Sequence, residues 1–198
     1  DIGPVLAVSP STYDFGLAVT EAGGVPVSFT VSNAGGGMTG PISITIAGAN
    51  MAEFALAAGG TCLPGITTLR GGEKCTILAG FAPGTPGYKA ASLTVGATPG
   101  GTTAVTLAGK GVGPAKLAVT PAEADFGNVA IGAKSDLVPF IVTNPGAASG
   151  PINVEFAGAD AAEFVLAGGT CIAGSTVLAD GASCTVLVQL APTTLDAK

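Results

Sequence analysis

The chain has 198 residues, 47% of them hydrophobic and 10% charged, with 13 Asp or Glu against 7 Lys or Arg. Seven scattered cations cannot build a phosphate-tracking surface or a polybasic membrane patch, which excludes nucleic acid as a partner, and no apolar run reaches the roughly 18 residues that span a bilayer. The sequence contains no histidine, so this chain cannot assemble Ser–His–Asp or Cys–His catalysis or a His-ligated metal site.

Taken in chain order, short strands are predicted over residues 5–8 and 13–15, the second ending at Gly16. In VPVSFTVSN, Val25, Val27, Phe29 and Val31 alternate with Ser28, Thr30 and Ser32, the period of a half-buried strand. Asn33-Ala-Gly-Gly-Gly breaks it, with Asn as the turn residue. ISITIAG points Ile42, Ile44 and Ile46 inward, and ANMAEF is one helical turn capped by Asn50. A short strand over residues 54–56 leads to the first cysteine, and CTILAGF then puts Ile77, Ala79 and Phe81 on one face. After the turn APGTPG, YKAASLTV and TTAVTLAG supply two more strands. Many short strands separated by Gly, Pro and Asn turns predict an all-β fold, a β-sandwich.

The pattern then repeats. SPSTYDFG returns as TPAEADFG, and AGANMAEFAL returns as AGADAAEFVL, with Asp160 in the capping position of Asn50. The offset is 111 residues from Phe15 to Phe126 and 109 from Cys62 to Cys171. A period of that length means tandem domains rather than a solenoid. The expected division is residues 1–112 and 113–198, with GKGVGP over 109–114 read as the linker. APGTPGYK (residues 82–89) aligns with APTTLDAK (residues 191–198), so nothing in the second copy corresponds to residues 90–112, the last two strands. Three completions stay open: a continuing chain, strands supplied by another copy, or a different closure. The start at Asp1 rather than Met is expected of a processed or excised product.

Cys62 and Cys75 are 13 residues apart, as are Cys171 and Cys184. Of the three pairings, the repeat favours Cys62–Cys75 and Cys171–Cys184, one bond within each copy. The competing reading, a four-thiolate zinc site shared between copies, lacks the usual CxxC spacing. Disulfides imply an oxidising compartment.

No residue is assigned a catalytic, cofactor or metal role. Asp14-Phe15-Gly16 and Asp125-Phe126-Gly127 spell a kinase magnesium motif without its companions and are read as a core Phe beside a turn. Calcium ligands at Asp160, Glu163 or Glu155 do not repeat as a set. Glu53 and Glu163 do repeat, and are expected to accept hydrogen bonds from nearby backbone. Tyr13 and Tyr88 are the only tyrosines available to a sugar platform, and copy 2 keeps neither.

The ordered series LAVSPSTYDFG, VSFTVSNAGG, PISITIAGA, AEFAL, the cysteine pair, FAP, ASLTV and VTLAGKG resembles the immunoglobulin-like repeats of bacterial choice-of-anchor D surface proteins. These are relatives of Hydin-type ASH and major-sperm-protein-like domains. The resemblance implies two tandem immunoglobulin-like sandwiches, secreted or on a cell surface, with the periplasm as a further location. It implies a non-catalytic stalk, filament or matrix component mediating assembly or adhesion. The alternative is a module binding a protein or glycan through end loops, residues 20–24 or 63–72. The partners this implies are other copies or neighbouring immunoglobulin-like domains joined by strand complementation, or a surface protein or glycan.

Overall fold

The computed structural model describes residues 3–194. They form an all-β structure with two single 3-10 turns, in two compact units, Asp1–Gly113 and Pro114–Lys198.

Unit 1 is a complete sandwich of eight strands. One sheet has the order β1 (Leu6–Ser9), β3 (Val27–Asn33), β6 (Lys74–Phe81), β5 (Phe54–Ala57). The other has the order β2 (Thr12–Val19), β8 (Gly101–Val112), β7 (Gly87–Ala97), β4 (Ser43–Ala47). This is the strand order of immunoglobulin sandwiches, with β2 as an added edge strand. Phe29, Val31, Ile42, Ala79, Leu93, Val95, Val105 and Leu107 are all fully buried between the sheets. Alternation drives this: each strand turns every second, apolar residue into the gap.

Three expectations are corrected here. Val25 lies outside β3 and is 85% exposed, because the ladder with β6 begins at Val27. The strand expected at 13–15 is eight residues long and pairs parallel with β8, so its partner lies some 90 residues downstream. Gly109 and Gly111 are not linker but ladder residues of β8. A Cβ at Gly109 would stand 2.6 Å from Cε1 of the buried Phe81 ring, and one at Gly111 would stand 2.4 Å from the Thr85 carbonyl oxygen. Their small size lets β8 approach the other sheet.

Asn33 pins the first sheet. It is 1% exposed; its Oδ1 accepts from the N–H groups of Val5 and Gly35 at 3.0 Å each. Its Nδ2 donates to the carbonyls of Gly37 at 2.6 Å and Leu69 at 3.0 Å. Asn144 repeats the arrangement, accepting from Lys116 and Gly146 and donating to Ala147 and Leu178.

Each unit carries one disulfide, Cys62–Cys75 and Cys171–Cys184, with Cα atoms 5.1 Å apart in both. Closing a loop of this size is worth about 3 kcal/mol. Replacing Cys62 and Cys75 together by Ala is expected to remove that much from unit 1. Urea unfolding followed by tyrosine fluorescence measures it, because Tyr13 and Tyr88, the chain's two tyrosines, both lie in unit 1. A loss below about 1 kcal/mol would mean that other bonds already close the loop in the unfolded ensemble.

Among the described residues unit 2 has one sheet, in the order β11 (Phe164–Gly169), β12 (Ser183–Leu190), β10 (Val138–Thr143), β9 (Ala118–Thr120). It corresponds to the β5-β6-β3-β1 sheet of unit 1, strand for strand. The second sheet is represented by residues 151–157, the equivalent of β4. These residues run without a ladder partner among the described residues.

Candidate functional site

The feature that distinguishes the two units is the inner face of unit 2. In β12 the residues Cys184, Val186, Val188 and Leu190 point inward, and β10 adds Phe140 and Val142. Residues 151–157 cross this face on its far side with the same inward alternation as their counterparts: Ile152, Val154 and Phe156 stand where Ile42, Ile44 and Ile46 stand in unit 1. In unit 1, β7 and β8 close that gap with Ala91, Leu93, Val95, Val105 and Leu107, none more than 7% exposed. In unit 2 the gap is an open apolar groove of about 350 Å³, bordered by Val119, Phe140, Ile152, Val154, Phe156 and Val188.

Equivalent side chains record the difference. Leu6 is 6% exposed, whereas Leu117 is 44% exposed. Phe29 is completely buried; Phe140 is half-buried. The backbone differs in the same way. In unit 1, β4 pairs with β7 along Ser43–Ala47, and the equivalent residues 153–157 have no such ladder among the described residues. The groove therefore combines an uncovered hydrophobic floor with an unpaired strand edge, the two things an incoming β-strand uses.

The rest of the sequence-derived candidates serve the fold. Asp14 Oδ1 accepts from the Gly16 N–H and Asp125 Oδ1 from the Gly127 N–H, both at 2.8 Å, so the DFG triplets are side-chain turns whose glycines take positive φ. Asn50 does not cap its 3-10 turn, and neither does Asp160; the Asn50 Oδ1 accepts instead from the Ala90 N–H at 3.1 Å, holding β7. Glu53 takes the Nζ of Lys89 at 2.8 Å rather than backbone, an ion pair spanning 36 residues, and Lys89 also donates to Thr85 Oγ1 at 2.7 Å. Glu163 does accept from backbone, at the Thr193 N–H, and also from the hydroxyls of Thr193 and Thr194. Glu155 is exposed and accepts from Asn153 Nδ2. Tyr13 packs edge-on against Phe15 and Phe29, while Tyr88 is 85% exposed beneath Lys110. Among the described residues no three His, Cys, Asp or Glu side chains are placed to hold a metal ion. No helix of the described residues is long and apolar enough to cross a membrane.

No family model and no curated protein matches this chain. Solved structures similar to it include the VesB protease of Vibrio cholerae, at 17% identity and a TM-score of 0.40, over 53% of this chain and 31% of that one. The secreted serine protease VesC of the same organism matches at 11% identity and a TM-score of 0.41, over 94% of this chain and 46% of that one. A protein of unknown function from Porphyromonas gingivalis W83 matches at 15% and 0.37, over 94% of this chain and 83% of that one. The chain thus spans under half the length of either protease, and the likeness is one of β-fold alone. The expectation of a structural stalk, filament or matrix component is corrected and not kept: two of the similar structures are of proteases. Serine-protease chemistry is not carried over to this chain, whose 198 residues include no histidine for a triad. The two disulfides are compatible with an extracellular or periplasmic location.

Proposed function

We propose that unit 2 takes β-strands against its inner face, either from a continuation of its own chain or from another polypeptide. One observation carries this reading: a groove floored by Phe140, Val186 and Val188 and edged by residues 153–157 lies uncovered where unit 1 has two strands. Unit 1 supports it as the template for a filled site. There, four Leu or Val side chains of β7 and β8 are completely buried against the same positions, each worth about 1.5–3 kcal/mol of transfer free energy. The binding feature is thus a sheet face, not the end loops. Kinship with choice-of-anchor D repeats is proposed on the same footing, from the ordered segments and the cysteine pairs.

The test is a calorimetric titration of the full chain with a synthetic peptide of residues 86–112, which contains β7 and β8. Saturable one-to-one binding with a negative heat-capacity change is expected, the sign of buried apolar surface. Phe140→Asp, which places a charge on the groove floor, is expected to abolish it. Absence of binding, or binding unchanged by Phe140→Asp, would overturn the proposal.

A further inference from the structure

Unit 1 has a separate apolar pocket of about 420 Å³, between β2 and the residues that lead into β3. It is lined by Tyr13, Phe15, Leu17, Val25, Val27 and Phe81. Its floor is aromatic. Phe81 is buried, with its ring centroid 5.9 Å from that of Phe15, and Tyr13 meets Phe15 edge-on at 4.9 Å. Its lips are open to solvent, Leu17 being 60% exposed and Val25 85%. The repeat shows that the sandwich does not require such lips. An offset of 111 residues holds from Ser9–Thr120 to Asn33–Asn144 without a gap. Phe15 and Val27, which pack on the core, return along it as Phe126 and Val138. Tyr13, Leu17 and Val25 return as Ala124, Asn128 and Asp136. The core contacts are thus repeated, whereas the apolar lips belong to unit 1 alone.

Glu21 lies in the same segment and is its one charged residue between Leu17 and Val27. Its backbone is held at φ 64°, where the second copy has Gly132 at 79°. A left-handed conformation strains any residue but glycine, and position 21 keeps a carboxylate despite that. The Glu21 N–H donates to the Pro83 carbonyl at 2.9 Å and the Gly24 N–H to the Phe81 carbonyl at 3.2 Å. These bonds tie the loop to the strand end that carries the pocket's Phe81. Lys110, paired with Leu17 in the ladder, stands over the exposed Tyr88 ring.

We propose that this pocket binds a small arylalkylammonium ion, its ring against Tyr13, Phe15 and Phe81 and its ammonium at Glu21. The volume and the aromatic lining suit one small molecule rather than a flat partner surface. An ammonium at the rim is attracted both by the carboxylate and by the faces of the rings. No charged side chain lines the pocket itself, so the body of the ligand is neutral and apolar. The site lies within the complete sandwich of unit 1 and is independent of strand binding by unit 2.

The experiment titrates the full chain with phenethylammonium chloride and, separately, with 2-phenylethanol, its uncharged isostere, reading amide and methyl shifts by two-dimensional NMR. Both are expected to shift Leu17, Val25 and Val27 saturably, with dissociation constants of about 1–10 mM. The amine should bind about threefold tighter at low ionic strength. That advantage should shrink above about 0.5 M salt, where the screening length falls to about 4 Å. Glu21→Gly, which installs the residue of the second copy, should bring the two ligands to equal affinity. Leu17→Asn combined with Val25→Asn should weaken both about fivefold. Both side chains are exposed, and a thermal melt checks that the double variant stays folded. Equal affinity of amine and alcohol for the unaltered chain would overturn the cationic assignment. Shifts that do not saturate at this pocket, or affinities that the double variant leaves unchanged, would overturn the site.

Discussion

Asn33→Ala is expected to lower the stability of unit 1 by about 4 kcal/mol, although the residue is neither apolar nor part of the groove. Asn33 satisfies two backbone N–H groups and two carbonyls from three separate segments: the approach to β1, its own turn, and the loop that holds Leu69. Truncation leaves these groups facing a buried cavity, and each buried group without a partner costs about 1–3 kcal/mol. Some of them regain water at the turn, which keeps the total below the sum. Asn33→Asp separates the two halves of the network. Its carboxylate can still accept from Val5 and Gly35 but cannot donate to Gly37 and Leu69 and sets negative charge against both carbonyls. It should therefore be no better than Ala. Urea unfolding read by tyrosine fluorescence measures both variants. A loss under about 1 kcal/mol for Asn33→Ala would mean that water replaces the amide.

The second large effect is a difference between equivalent positions. Phe29→Ala is expected to cost about 4 kcal/mol, because the ring is fully buried and the sandwich around it cannot collapse into the space. Phe140→Ala should cost about 2 kcal/mol or less, since half-burial in an open groove removes less surface from water and leaves no closed cavity. Opening free energies from hydrogen exchange at the amides of β6 and β12 report the two units separately. Equal losses at the two positions would show that the face of unit 2 is as closed as that of unit 1.

Much of the fold is legible in the sequence wherever one face is buried and one is wet. The alternation in VSFTVSN and CTILAGF, and the inward set Ile42, Ile44 and Ile46, are reproduced residue by residue. Pairing at a distance is less legible. TYDF alternates but GLAV does not, and the strand runs on to Val19 because β8 lies beside it, with a register shift between Asp14 and Leu17. The glycines at 109 and 111 carry the signature of a flexible joint but serve close packing against Phe81, Pro83 and Thr85. An asparagine after a strand signals a turn; nothing local says that it is buried and bonded to Leu69, 36 residues away. The Glu53–Lys89 pair is hidden for the same reason. The groove is less legible. Its floor and edge needed coordinates, because only there do Leu117 and Phe140 emerge as uncovered counterparts of buried Leu6 and Phe29.

Hydrogen exchange along residues 153–157, with residues 43–47 of the same molecule as the internal reference, reads out directly whether the inner face of unit 2 is open. Fast exchange is expected at 153–157 and slow exchange at 43–47 in the free chain, because only the latter are laddered to β7. Adding the peptide of residues 86–112 should slow 153–157 towards the reference and leave 43–47 unchanged. Protection of 153–157 equal to that of 43–47 before any peptide is added, or exchange there that the peptide does not alter, would contradict an open strand-binding face.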